Sequence, residues 1–181
     1  ARPASGTEIT ILANYSDQES DTAHQFLPVT GTLLPAPGGQ EIDPYVYHGA
    51  PGFNAYDTQS FALSLIVEQE LNQAFSLEGI GRYMRSDAEY RQAWIAFAGN
   101  GVPRLDADGN GLWTYYLADN RSEQMAFDVR LRGEFDTGPI EHELLAGVQY
   151  QDVFTDSDTA YIFNGGVLNA FDPQYQNLLS V

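Results

Sequence analysis

The sequence predicts an all-β chain: an antiparallel up-and-down meander that forms a section of a transmembrane β-barrel, with long loops on one side and short turns on the other. Three observations predict it. Apolar and polar residues alternate with a period of two in several segments. The connections between those segments run long, short, long, short, long in order, as in an up-and-down barrel. The clearest strand also lines one face with charges of both signs, while no run of ~20 apolar residues could cross a membrane as a helix.

The first strand spans Thr7 to Ser16, with Ile9, Ile11, Ala13 and Tyr15 on one face and Glu8, Thr10, Asn14 and Ser16 mostly on the other. From Asp17 to Asp57 the pattern stops. Pro28, Pro35, Pro37, Gly38, Gly39, Pro44, Gly49, Pro51 and Gly52 break any regular element, so this stretch is a long loop. Alternation resumes with Phe61, Leu63, Leu65, Val67 and Leu71 against Ala62, Ser64, Glu68 and Glu70, and Asn72-Gln73 supplies a tight turn. The returning arm carries Phe75, Leu77, Gly79, Gly81 and Tyr83 against Ser76, Glu78 and Arg82, and continues less regularly towards Trp94 and Phe97.

A Gly- and Asp-rich loop from Ala98 to Gly111 leads into Leu112 to Leu117. Phe127, Val129, Leu131 and Phe135 then alternate with Asp128, Arg130, Arg132 and Glu134. After the short linker 136–140, Leu144, Ala146, Val148, Tyr150 and Phe154 stand opposite Gln149 and Gln151, and a last loop holds Asn164-Gly165-Gly166 and Asp172-Pro173. Each clean segment is expected near the ~9–11 residues that cross a bilayer when tilted, apolar side outward. Glu68, Glu70, Glu78, Arg82, Arg130, Arg132 and Glu134 would line the lumen. Residues 1–181 are read as a single barrel segment of about five strands.

Composition closes several classes. Eight basic residues against 25 Asp and Glu give a formal charge of -17, which repels nucleic acid. Cysteine is absent, so thiolate catalysis, disulfides and Cys-ligated metals are excluded. There is no G-x-S-x-G elbow and no Gly-rich strand-to-helix turn for phosphate, and no catalytic residue or enzyme activity is expected. His24, His48 and His142 are scattered without metal-ligand spacing. Asp106-Ala107-Asp108-Gly109-Asn110-Gly111 matches the opening of a calcium loop, but Leu117 stands where a bidentate Glu is needed. Asp106, Asp108 and Asn110 therefore read either as a partial calcium site completed from another loop or as an acidic loop tip. Trp94, Trp113, Tyr115 and Tyr116 read as an interfacial aromatic girdle near the rim of the third and fourth strands.

Several stretches resemble the siderophore-receptor family of TonB-dependent transporters. They are Gln25-Phe26-Leu27-Pro28 with Gly31-Thr32-Leu33-Leu34-Pro35, Gly49-Ala50-Pro51-Gly52-Phe53-Asn54-Ala55-Tyr56-Asp57, Arg82-Tyr83 with Asp87 and Tyr90, and Asn169-Ala170-Phe171-Asp172-Pro173-Gln174-Tyr175. The strongest is Thr137-Gly138-Pro139-Ile140-Glu141-His142-Glu143-Leu144-Leu145-Ala146-Gly147-Val148-Gln149-Tyr150-Gln151, which resembles the family's short periplasmic turn and rising strand. The resemblance implies a large barrel in the outer membrane of a Gram-negative bacterium, with energy-coupled import of ferric siderophore. Its partners would be the siderophore, outer-membrane lipid and, through a plug domain, a TonB-type energy-coupling protein.

Nothing before Thr7 reads as a plug, and Leu178-Leu179-Ser180-Val181 does not read as a closing strand, so the chain is expected to begin and end mid-barrel. Tyr45, Tyr47, Phe53 and Tyr56 in the first long loop become candidate ligand contacts, the alternative being that they pack the loop against itself. The rival to the whole reading is a soluble or self-assembling β-rich fragment, possibly calcium-stabilised, that pairs through its strand edges.

Overall fold

The computed structural model describes residues 1–22 and 25–175. His24 and the Leu178 to Val181 stretch lie outside the described residues. The strands are β1 (Thr7–Gln18), β2 (Ala55–Glu70), β3 (Phe75–Ile95), β4 (Asn110–Thr137), β5 (Ile140–Ile162) and β6 (Val167–Asn169). The sheet order is β1-β2-β3-β4-β5, each strand hydrogen-bonded to its neighbours in sequence, with β6 on β4. This is the expected meander, and its long and short connections alternate as the sequence predicts.

Local chemistry explains the two short turns. Asn72 Oδ1 accepts the N–H groups of Ala74 at 2.8 Å and Phe75 at 3.0 Å, so one side chain satisfies the backbone of the bend. In the second, Gly138 has φ +67° as the first central residue of a two-residue turn. A hairpin whose turn matches strand twist needs a positive φ there, and glycine reaches it without strain.

Three expectations change. Leu112 to Leu117 and the 127–135 run are parts of one strand, β4, 28 residues long. β1, at 12 residues, is close to the expected ~9–11 that cross a bilayer, whereas β2 to β5 run from 16 to 28 residues, well beyond it. β6 falls in what reads as a last loop. It pairs antiparallel with β4, Asn110 opposite Asn169 and Leu112 opposite Val167. Three residues are too few to display a period of two.

The chain divides into two compact units. One comprises residues 1–17, 58–87 and 120–156, and the other 18–57, 88–119 and 157–181. Both short turns belong to the first unit and the long loops to the second.

Among the described residues, every buried hydrophobic side chain belongs to the second unit. In the first, the apolar series stands exposed: Phe61, Leu63 and Leu65 on β2, Phe127 and Val129 on β4, Val148 and Phe154 on β5. A soluble meander would bury that series, because apolar surface in water is what drives burial. The polar series is partly sheltered instead. Glu78 and Asp128 retain 18% and 17% side-chain exposure, Arg130 lies 2.7 Å from Asp128 and 3.6 Å from Glu78, and Arg132 is 3.9 Å from Glu78. Glu68, Glu70, Arg82 and Glu134 are exposed. A second network that sequence reading missed joins Asp87 to Arg85 at 2.8 Å and to Arg121 at 2.9 Å, with Glu123 3.8 Å from Arg85.

In the second unit, the first long loop packs on β3 and β4: Ala50 and Phe53 meet Ala93, Trp113, Tyr115 and Leu168. Ile42, Ile95 and Ala170 form a smaller cluster with Phe171 at its edge. Gly109, at φ +83°, lies against the Phe171 ring, which an added Cβ would overlap. Gly109→Ala is therefore expected to cost about 1–3 kcal/mol, from the left-handed backbone and the displaced ring together. Thermal denaturation would detect it, and an unchanged melting temperature would refute the close packing.

Candidate ligand-binding site

The long first loop would be costly to hold in one shape without internal bonds. Asn54 supplies several. Its Oδ1 accepts from the Ala93 N–H at 2.9 Å, and its Nδ2 donates to the Tyr47 hydroxyl at 2.6 Å. Buried His48 has Nε2 2.8 Å from the Ala170 carbonyl and Nδ1 3.1 Å from Gln25 Oε1, which also accepts the His48 backbone N–H at 2.6 Å. Ser20 bonds the Tyr56 carbonyl at 2.9 Å and Asp57 at 3.3 Å. Together these bonds fix where the loop rejoins β2, and hence the Tyr56 ring.

That ring begins an aromatic cluster. Tyr56 meets Tyr90 edge-on with centroids 5.7 Å apart, Tyr90 meets Tyr116 at 5.6 Å, and Tyr116 meets Tyr161 at 4.8 Å and Trp94 at 6.1 Å. Trp94 also meets Tyr161 at 6.4 Å and Phe26 at 5.9 Å, while Phe26 continues to Phe97 and Tyr161 to Phe163. These separations are those of favourable edge-on and tilted ring pairs. Four strands and a loop thus bring together rings that are half-buried or exposed.

The cluster alternates along β3 and β4 with buried positions. Ala93 and Ile95 flank Trp94, and Tyr115 precedes Tyr116. Loop residues cover Ala93, Ile95 and Tyr115, and Phe26 of the first loop also reaches Trp94. Ring faces accessible to solvent can stack on planar groups, bury apolar ligand surface and attract cations, while the tyrosine hydroxyls donate hydrogen bonds.

Of the loop aromatics expected to touch ligand, only Tyr56 joins this cluster. Tyr45 is 96% exposed and stands out from the loop. Tyr47 is half-buried and hydrogen-bonded to the Thr22 carbonyl at 3.0 Å; burial pushes its phenol pKa up. Phe53 is buried edge-on against Tyr115 at 4.7 Å, part of the loop's packing. The girdle reading also fails for Trp113 and Tyr115, which are 1% and 0% exposed beneath the loop. Tyr90 and Tyr161 were not singled out as ligand contacts in sequence.

The acidic loop has an internal use for its oxygens. Asp106 Oδ1 accepts the N–H groups of Asn110 at 2.8 Å and Asp108 at 2.9 Å, and Oδ2 accepts Asn110 Nδ2 at 3.1 Å. Asn110 Oδ1 and the Asp108 carbonyl both accept from Asn169 Nδ2, at 3.0 and 2.9 Å. Among the described residues no group of three or more His, Cys, Asp and Glu is placed to hold a metal ion.

The Asn110 donors, chiefly its backbone N–H, hold the Asp106 carboxyl below its usual pKa. A carboxyl lowered on folding contributes stability above its unfolded value, about 3.9, and that contribution is lost as pH falls through the folded value. Amide protection at Asp108 and Asn110 is therefore expected to drop below about pH 4. In Asp106→Asn this acid step should vanish; its persistence would overturn the assignment.

No family model matches the chain. It is 27% identical over 169 residues to the ferrioxamine B receptor of Salmonella typhimurium, covering 93% of this chain and 23% of the receptor. To the ferrichrome outer membrane transporter/phage receptor of Escherichia coli it is 24% identical over 185 residues, covering 95% and 25%. This chain matches one section of an outer-membrane siderophore receptor. The section spans about a quarter of the length of these curated relatives, which are receptors and transporters by name rather than enzymes. Its fold superposes on the ferric-catecholate import receptor Fiu of E. coli with a TM-score of 0.70 and 16% identity, covering 94% of this chain and 27% of Fiu. The siderophore receptor PiuA of Acinetobacter baumannii gives the same score and identity over 96% and 27%. The likeness to these structures is one of fold, and in this chain the strand order β1 to β5 does not close on itself.

Proposed function

We propose that this section belongs to a receptor that takes up ferric siderophores across the outer membrane, and that its aromatic cluster contacts the chelate. The carrying observation is the group of accessible rings on β2, β3, β4 and β5, with Phe26 from the first loop. A polar series partly sheltered by ion pairs, beside an exposed apolar one, supports a wall with lipid outside and water within.

On this reading the outer edges of β1 and β5 continue into neighbouring strands of the same barrel, because an open edge in lipid leaves costly unpaired backbone groups. Energy coupling would come from a TonB-type partner acting through a plug. Tyr45 and Tyr47 would belong to a loop that closes over the entrance.

Tryptophan emission of the natural polypeptide carrying this section, in detergent, tests the site. A ferric chelate such as ferrioxamine B should quench Trp94, leaving buried Trp113 unchanged. Quenching by brominated detergent but by no chelate would return the cluster to the girdle reading.

A further inference from the structure

We infer that Arg85, Asp87, Arg121 and Glu123 form a lipid-headgroup site at the loop-side edge of the bilayer, where the two guanidiniums hold the phosphate of a membrane lipid. The inference goes beyond the proposed function and needs only that the apolar face of this section meets lipid.

Face and register decide the placement. A Cβ added to Gly81 of β3 would stand 3.5 Å from the Phe127 ring of β4, and one added to Gly133 of β4 would meet the Phe75 ring. Phe127 belongs to the exposed apolar series. Arg85 and Asp87 lie four and six residues beyond Gly81, and Glu123 and Arg121 lie four and six residues before Phe127. Even steps return a strand to the same face, and the antiparallel register sets the two pairs opposite each other. The contacts agree: Asp87 is 2.9 Å from Arg121, and Arg85 is 3.8 Å from Glu123. The quartet therefore continues the apolar face, not the polar face that carries Glu78, Asp128 and Arg130.

The apolar band ends where the quartet begins. It covers nine residues of β3, 75–83, and eleven of β4, 125–135, within the ~9–11 that cross a tilted bilayer. Strands of 21 and 28 residues thus carry one crossing stretch beside the short turns, and charge starts at its far end. β3 and β4 each have both neighbouring strands in this chain, so the sheet around the quartet is complete.

Asp87 accepts from Nε and Nη2 of Arg85, at 2.8 and 3.1 Å, and from Nε of Arg121 at 2.9 Å. Among the described residues Arg121 makes no other side-chain bond, so its Nη groups face an outside acceptor. A guanidinium fork matches two phosphate oxygens. A phospholipid satisfies both halves of this surface at once, with its acyl chains on the band around Phe127 and its phosphate on the arginines.

Native mass spectrometry of the natural polypeptide carrying this section, in detergent, tests the site by titration with phosphatidylglycerol and with diacylglycerol of the same acyl chains. Phosphatidylglycerol should bind at least about fivefold tighter, and the Arg85→Gln/Arg121→Gln double variant should lose that margin. Asp87→Asn leaves the quartet net positive and should tighten phosphatidylglycerol binding, a gain that no folding defect produces. The inference is overturned, with the proposed function left standing, by equal affinity for the two lipids, by a double variant that keeps the margin, or by an Asp87→Asn variant that binds no tighter. Displacement of the lipid by millimolar inorganic phosphate also overturns it, since the site would then take a free anion. If neither lipid binds, the apolar face is not a lipid face and the proposed function falls as well.

Discussion

Trp113→Ala should lose about 3–5 kcal/mol from the loop-bearing unit, the usual range for emptying a large buried aromatic site. Trp113 is 1% exposed and packs with Ala50, Phe53, Ala93, Tyr115 and Leu168, so removing its indole leaves a hole walled by the first long loop, β3, β4 and β6. The loop has few other apolar anchors, and the substitution should free it before the sheet melts. Proteolysis within residues 19–54 should accelerate while the β2–β3 and β4–β5 turns stay resistant. Trp113→Phe is the control. The indole N–H has no hydrogen-bond acceptor among the described residues, so phenylalanine gives up no bond and should cost below about 1.5 kcal/mol. If the alanine variant cleaves at the wild-type rate, the loop is held by something other than this core.

The second large effect is on binding. Trp94 touches Phe26, Tyr116 and Tyr161, more neighbouring rings than the loop residues Tyr45 and Tyr47 meet. Trp94→Ala should weaken chelate binding about tenfold to a hundredfold, the penalty for a central aromatic anchor. Tyr45→Ala should change it less than about threefold, because an isolated, solvated ring contributes little. The tryptophan variant needs a non-fluorescent readout such as retention of radioactive iron. Trp94 is partly buried and lies outside the two buried clusters, so its loss should lower the melting temperature less than Trp113→Ala does. Equal affinities for the two variants would move the site to the outer loop.

Trp94→Ala reports where the chelate sits, and it depends on a receptor that carries iron chelates, which the matched relatives do by name and this section is proposed to do.

Strand order, the two tight turns, the alternating loop lengths and the amphipathic series were legible because each is local. Phe127-Asp128-Val129-Arg130 alternates within one strand, Asn72 caps its own turn, and Gly138 supplies its own positive φ. The resemblance at Thr137 to Gln151 was likewise a property of contiguous residues. β6 was not legible, because three residues beside Gly165-Gly166 acquire their meaning only from β4 opposite.

The site divides in the same way. Sequence alone determined that the chain is acidic, lacks cysteine, alternates as a barrel wall and carries an aromatic-rich first loop. It could not determine which aromatics stay accessible. Trp113 and Trp94 lie on neighbouring strands, and the sequence read both as girdle residues; the loop covers one and leaves the other accessible. Tertiary structure also committed Asp106 to its own loop and joined Tyr56, Tyr90, Tyr116 and Tyr161, up to 105 positions apart in the chain, into one cluster. Alternation specifies only that a side chain points to one of two faces. What lies on that face is decided by strand pairing and by the path of a loop whose bonds reach across the chain.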